Sequence, residues 1–221
     1  MFVKMLELEG GGELMIKNVW KANQVISMET RLKDEGRKNN IYVLAQMIGK
    51  AQLLIFDLYS DDNNWGDVDL NEVPILFCTS VTRQFINNSN IYKQSIKPLT
   101  NYKLPTYKIE SLGMGSRHVT VWKGTTNERK VLILGQGGGR LIEEDMSTGS
   151  YTTKIIMPSI PVIDSETIDK YELTNVRIYP EFNERLYLCY KFGENVDPLK
   201  DLIFDRPIPL EYKDYIDIIS S

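Results

Sequence analysis

"IYVLAQMIGKAQLLIFDLYS", residues 41–60, decides the fold class. It divides into two apolar runs, IYVLAQMIG (41–49) and AQLLIFDLYS (51–60), which meet near Gly49 and Lys50. Both are rich in the branched and bulky residues that favour a pleated surface, so each reads as a strand. Outward from this pair the strand signal repeats. FVKMLELE (2–9) alternates apolar and polar residues, and ELMIKNVW (13–20) does so again after the turn-forming Gly10, Gly11 and Gly12. PILFCTSVT (74–82), IYKQSI (91–96), PTYKIE (105–110), HVTVWKG (118–124), KVLILG (130–135), TKIIMP (153–158), NVRIYP (175–180) and RLYLCYKF (185–192) complete the set. HVTVWKG and KVLILG flank TTNER and read as a hairpin. ETRLKDEGRKNN (29–40) reads as a charged loop or short surface helix.

Helix signals come late. Asp164 or Ser165 caps DSETIDKYEL (164–173), and Asp197 followed by Pro198 opens DPLKDLIF (197–204). A last helix is expected in PLEYKDYIDIIS (209–220). Short strands between frequent turns predict a mainly β (α+β) fold. Its form is antiparallel β barrel or sandwich lobes, with a few short helices near the C-terminus. Residues 97–105, KPLTNYKLP, interrupt the pattern. They suggest a β-barrel-like lobe over 1–100 and a second β-rich lobe with short helices over 101–221, or a single domain over 1–221.

Composition narrows function mainly by exclusion. Hydrophobic residues are 42% and charged residues 25%, which is globular rather than disordered. The net charge of -4 gives no global basicity for nucleic acid. No run approaches the ~20 apolar residues of a membrane span. Cys78 and Cys189 each sit inside an apolar run, which favours buried thiols in a reducing compartment, and a cytoplasmic location is expected. A single histidine, His118, excludes His-rich metal sites and HExxH proteases. His118 shares a strand face with Ser116, but a core-edge or exposed histidine is the simpler reading. GQGGGR (135–140) lacks the spacing and the following helix of a phosphate loop, so it reads as a turn. No catalytic residue, metal site or cofactor is expected.

The charge is segregated along the chain. Residues 51–82 hold six acids and no Lys, Arg or His, whereas 83–130 hold nine bases against Glu110 and Glu128. At the centre of the acidic stretch lies DDNNWGDVDLNE (61–72). Counted as a calcium loop, it places Asp61, Asn63, Gly66, Asp69 and Glu72 suitably but puts Trp65 at a ligand position. Strand-like segments flank it and Pro74 follows, so an acidic surface loop is favoured. Asp61, Asp62, Asp67, Asp69 and Glu72, with Trp65 as an anchor, form the candidate surface for a basic protein partner. The alternative is single-stranded nucleic acid on a basic and aromatic face made of Lys93, Lys97, Lys103, Lys108, Arg117 and Trp122.

The run from Ile41 to Leu99 resembles the Immunity protein 26 family of bacterial polymorphic toxin systems. The matching residues are Phe56 and Asp57, then Leu76 and Phe77 after the acidic loop, then Pro98 and Leu99. Tyr92 stands where that family's pattern has a tryptophan. The similarity covers about a quarter of the chain. It implies a non-enzymatic immunity protein that binds and blocks a toxin domain, and an acidic face would suit a basic nuclease toxin.

Overall fold

In a computed structural model, the structure describes residues 19–31, 40–145 and 152–220. The strand expected at 2–9, most of the one at 13–20, the Gly10–Gly12 turn and most of 29–40 lie outside the described residues.

The opening pair forms the centre of a five-stranded antiparallel sheet. It contains β1 (Val25–Glu29), β2 (Tyr42–Ile48), β3 (Gln52–Ser60), β4 (Ile75–Ser80) and β5 (Ile91–Lys93), in the order β4-β3-β2-β1-β5. β2 and β3 pair with Ala45 opposite Ile55 and Met47 opposite Leu53. Side chains alternate, so Val43, Ala45, Met47, Leu53 and Ile55 enter one core while Leu44, Ile48, Leu54 and Phe56 enter another. Both faces of these strands are covered, which is why their sequences are almost continuously apolar rather than alternating.

Two smaller sheets follow. β6 (Tyr107–Ser111), β9 (Gly139–Asp145) and β10 (Thr152–Met157) pair in the order β10-β9-β6, and β7 (Ser116–Val121) and β8 (Arg129–Leu134) form the expected hairpin. None of the sheets closes into a barrel. GQGGGR is a turn through Gly138 and enters β9 at Gly139. A Cβ at Gly139 would lie 2.7 Å from Ile109 Cγ2 and 2.8 Å from Phe204 Cζ, so close packing there requires glycine.

A short helix, α1 (Phe85–Asn88), adds Phe85 and Ile86 to one core of the first sheet. α2 (Ser165–Lys170) and α4 (Pro198–Ile203) start at the expected caps: Asp164 accepts from the Thr167 amide and Asp197 from that of Leu199. α5 (Lys213–Ile219) occupies the expected terminal position. Between them, the segment expected as a strand at 185–192 is a helix, α3 (Glu181–Phe192). Phe182, Leu186 and Cys189 recur at helical spacing and enter the core under the first sheet. The expected strand at 175–180 makes one bridge among the described residues, Arg177 to Val81, and turns at Tyr179 and Pro180. Among the described residues, no helix is long and apolar enough to cross a membrane.

α3 binds the two halves of the sequence together. Its Phe182 packs edge-on against Phe77 and Phe85, and Asn183 donates to the Glu29 carbonyl at 2.5 Å. The interruption at 97–105 is also anchored. Gln46, buried on β2, accepts from the Leu99 amide at 2.8 Å and donates to the Leu99 carbonyl at 2.9 Å.

Candidate functional site: an acidic loop held by the sheet

The loop between β3 and β4 is fixed from below. Trp65 is only 8% exposed and packs with Leu54, Phe56, Leu70, Cys78 and Leu99. Its indole Nε1 donates to Asn63 Oδ1 at 3.1 Å. The same oxygen accepts from Gln94 Nε2 at 3.0 Å and from Ser27 Oγ on β1. Asn63 therefore collects three donors, one from the loop itself and two, Ser27 on β1 and Gln94 just after β5, that tie the loop to the sheet. Above this anchor the chain folds on side-chain turns: Asn64 N donates to Asp62 Oδ1 at 3.1 Å, and Asn71 N to Asp69 Oδ1 at 3.0 Å. Gly66, at φ +54°, supplies the left-handed step between them.

Pinning alternates with exposure. Trp65 and Leu70 point inward, while Asp61, Asp62, Asp67, Asp69 and Glu72 are all exposed. Among the described residues, Asp62, Asp67, Asp69 and Glu72 form no salt bridge. The Asn71 backbone amide, followed by its side chain, holds the Asp69 carboxyl below its ordinary range, so it stays charged. Strands rather than helices flank the loop, and no three metal-ligating side chains cluster among the described residues. Trp65, expected to anchor an interface, is turned inward and holds the loop from inside.

The basic alternative set comes apart. Lys93, Lys97 and Lys103 are exposed. Lys108 is 5% exposed and donates to the Cys78 carbonyl at 2.9 Å. Arg117 pairs with Asp205 at 2.9 Å and donates to the carbonyls of Leu202 and Ile203. Trp122 is half-buried, and its Nε1 donates to the Ile208 carbonyl at 2.9 Å. Three of the six residues are thus engaged within the fold. Ser116 and His118 are exposed on β7, facing Leu134 and Leu132 across the hairpin. Cys78 and Cys189 are free and buried, and burial pushes both thiols up to about 11, which disfavours the nucleophilic thiolate.

A second charged cluster was not legible in the sequence. Glu172 receives both terminal nitrogens of Arg185, at 2.8 and 2.9 Å. Arg177 pairs with Glu181 at 3.0 Å and with Asp197, which also lies 3.4 Å from Arg185. Lys200 approaches Glu172 at 4.0 Å, and Tyr215 donates to Glu181. All are buried. Burial pulls Glu172 upward, but the charges of Arg185, Lys200 and Arg177 outweigh it and hold the carboxyl well below its usual range. Three cations face three carboxylates, so the cluster is neutral and serves the fold.

A family model described as a domain of unknown function, DUF8309, matches residues 15–207. The chain belongs to the DUF8309 family. The DUF8309 match contains the acidic loop, all three sheets and the buried charge cluster, so these features belong to one unit of sequence. Nothing in it connects the chain to the Immunity protein 26 family. No curated protein and no solved structure matches the chain.

Proposed function

We propose that this protein is a non-catalytic binding module that docks the loop 61–72 onto a basic surface of a protein partner. The supporting observation is the contrast within that loop. Its Trp65 and Leu70 are buried and its Asn63 is held by Ser27 and Gln94, yet its carboxylates face water, and among the described residues Asp62, Asp67, Asp69 and Glu72 form no salt bridge. A preordered loop loses little conformational freedom on docking. Clustered charge of one sign speeds encounter with an opposite charge and rejects like charge. A toxin-blocking role is the form this reading takes if the resemblance over 41–99 holds; a nuclease surface, being basic, would suit the loop.

The test compares wild-type protein with a variant carrying Asp61→Asn, Asp62→Asn, Asp67→Asn, Asp69→Asn and Glu72→Gln. Both are used to recover partners from the native host at low salt. A specific protein retained by wild type, lost with the variant and released steeply by added salt is the expected result. Identical retention by both proteins, or no loop-dependent partner, overturns the proposal.

A further inference from the structure

β8 is paired fully on one side only. Val119 faces Val131 and Arg117 faces Ile133, and the Gly135 amide donates to the Gly115 carbonyl at 3.0 Å. By alternation, the backbone groups of Leu132 and Leu134 turn away from β7. On that side a single bridge, Val131 to Ser220, is formed among the described residues. Beyond it opens a cleft of about 240 Å³. Its far wall is the extended segment 175–178, whose central residue, Arg177, is already paired: its amide donates to the Ser80 carbonyl and its carbonyl accepts from Thr82.

The walls and floor differ in character. Leu134, Val176 and Ile178 line the cleft while 66%, 55% and 51% exposed. Leu132 and Leu134 on one side, and Val176 and Ile178 on the other, repeat every second residue, which is the period of an extended chain. The floor is Arg177, Glu181 and Tyr215. Arg177 is 1% exposed and uses its two terminal nitrogens on Glu181 and Asp197, but among the described residues its Nε has no acceptor. A buried N–H without a partner is costly, and an occupant that brings an acceptor removes that cost.

We propose that this cleft binds an extended, uncharged, apolar stretch of polypeptide, added as a third strand to β8 with one of its carbonyls serving Arg177. The charges select the occupant. Glu181 and Asp197 already neutralise Arg177, so a carboxylate would bring a further anion against Glu181. A peptide carbonyl supplies the acceptor without charge. The open edge of β8 supplies backbone pairing of the kind that strand addition uses. This surface goes beyond the acidic-loop reading and shares no residue with it.

The test uses the full chain and a panel of acetylated, amidated heptapeptides, Ser-X-Thr-X-Thr-X-Ser, with X as Val, Ile, Leu or Phe. Binding is followed by chemical-shift changes. At least one peptide is expected to bind with Kd below about 1 mM, and N-methylation of alternate amides is expected to weaken it about tenfold or more. Leu134→Lys, a change at an exposed position, should abolish binding, while the five-fold loop variant and added salt should leave it unchanged. No binding by any peptide, equal binding of the N-methylated forms, or indifference to Leu134→Lys overturns the proposal. Loss of binding in the loop variant would instead assign the interaction to the acidic loop and would likewise overturn it.

Discussion

Two groups of carboxylates in this molecule meet opposite fates. Glu172, Glu181 and Asp197 lie in the interior beside Arg177, Arg185 and Lys200. Asp62, Asp67, Asp69 and Glu72 lie outside, and among the described residues no cation bonds to them. The same functional group is mortar in one place and surface in the other. What separates them is the supply of partners. The inner acids are drawn in by guanidinium groups from α3 and from the extended segment before it. The outer ones ride on a loop whose apolar residues are fastened to the sheet. A carboxylate without a matching cation stays wet, because its desolvation would find no recompense.

The largest expected effect comes from breaking the inner group. Arg185→Met leaves Glu172 without its bidentate partner, and the protein should lose about 3–5 kcal/mol of stability by denaturant titration. Next comes the fastening of the outer group. Trp65→Ala empties a buried indole site and should destabilise by about 3 kcal/mol, while also weakening any loop-dependent partner.

A smaller effect is tied to pH. Burial raises the Asp201 carboxyl to about 6, with Arg206 pulling it only part of the way back. The folded state then holds this proton more tightly than the unfolded chain does. The Asp201 contribution is therefore most favourable below its unfolded pKa and declines as pH rises from about 4 to about 6. Thermal melts of wild type and Asp201→Asn across that window should show the difference moving in the variant's favour with rising pH, then levelling. An unchanged difference would show that Asp201 titrates normally. The smallest effect sharpens the contrast from the other side. Neutralising the five outer acids should alter stability by no more than about 0.5 kcal/mol per site, because among the described residues no ion pair of Asp62, Asp67, Asp69 or Glu72 is lost. Near-silence in the melt with loss of partner binding would mark the loop as a surface made for contact.

How far the sequence announced these features depends on how local each one is. β2, β3 and β4 were readable because strands covered on both faces carry unbroken apolar runs. α2 and α4 were readable because their caps are a single residue and a short contact away. α3 was misread because RLYLCYKF shows Leu186, Leu188 and Tyr190 at strand-like spacing. Its helical face begins earlier, at Phe182, and includes Cys189, so the strand-like spacing covers only part of the helix. β1 and β9 were missed: VISME holds Ser27 and Glu29, and GRLIEED follows a glycine turn. The exposure of the loop's acids followed from composition, but the inward turn of Trp65 did not, since Asn63, Ser27 and Gln94 meet only in the fold. The buried cluster was least visible, because Glu172, Arg185 and Asp197 belong to different segments and each looks like an ordinary surface charge.

Asp197 gathers several duties on one side chain. One oxygen caps α4 through the Leu199 amide, and the other meets Arg177 and lies near Arg185. Asparagine could still accept at the cap but would leave two cations short of an anion. Glutamate would keep the charge but would carry it one methylene away from the cap. A lineage can therefore change this position only as part of a coordinated set, and a library that varies it alone should return aspartate.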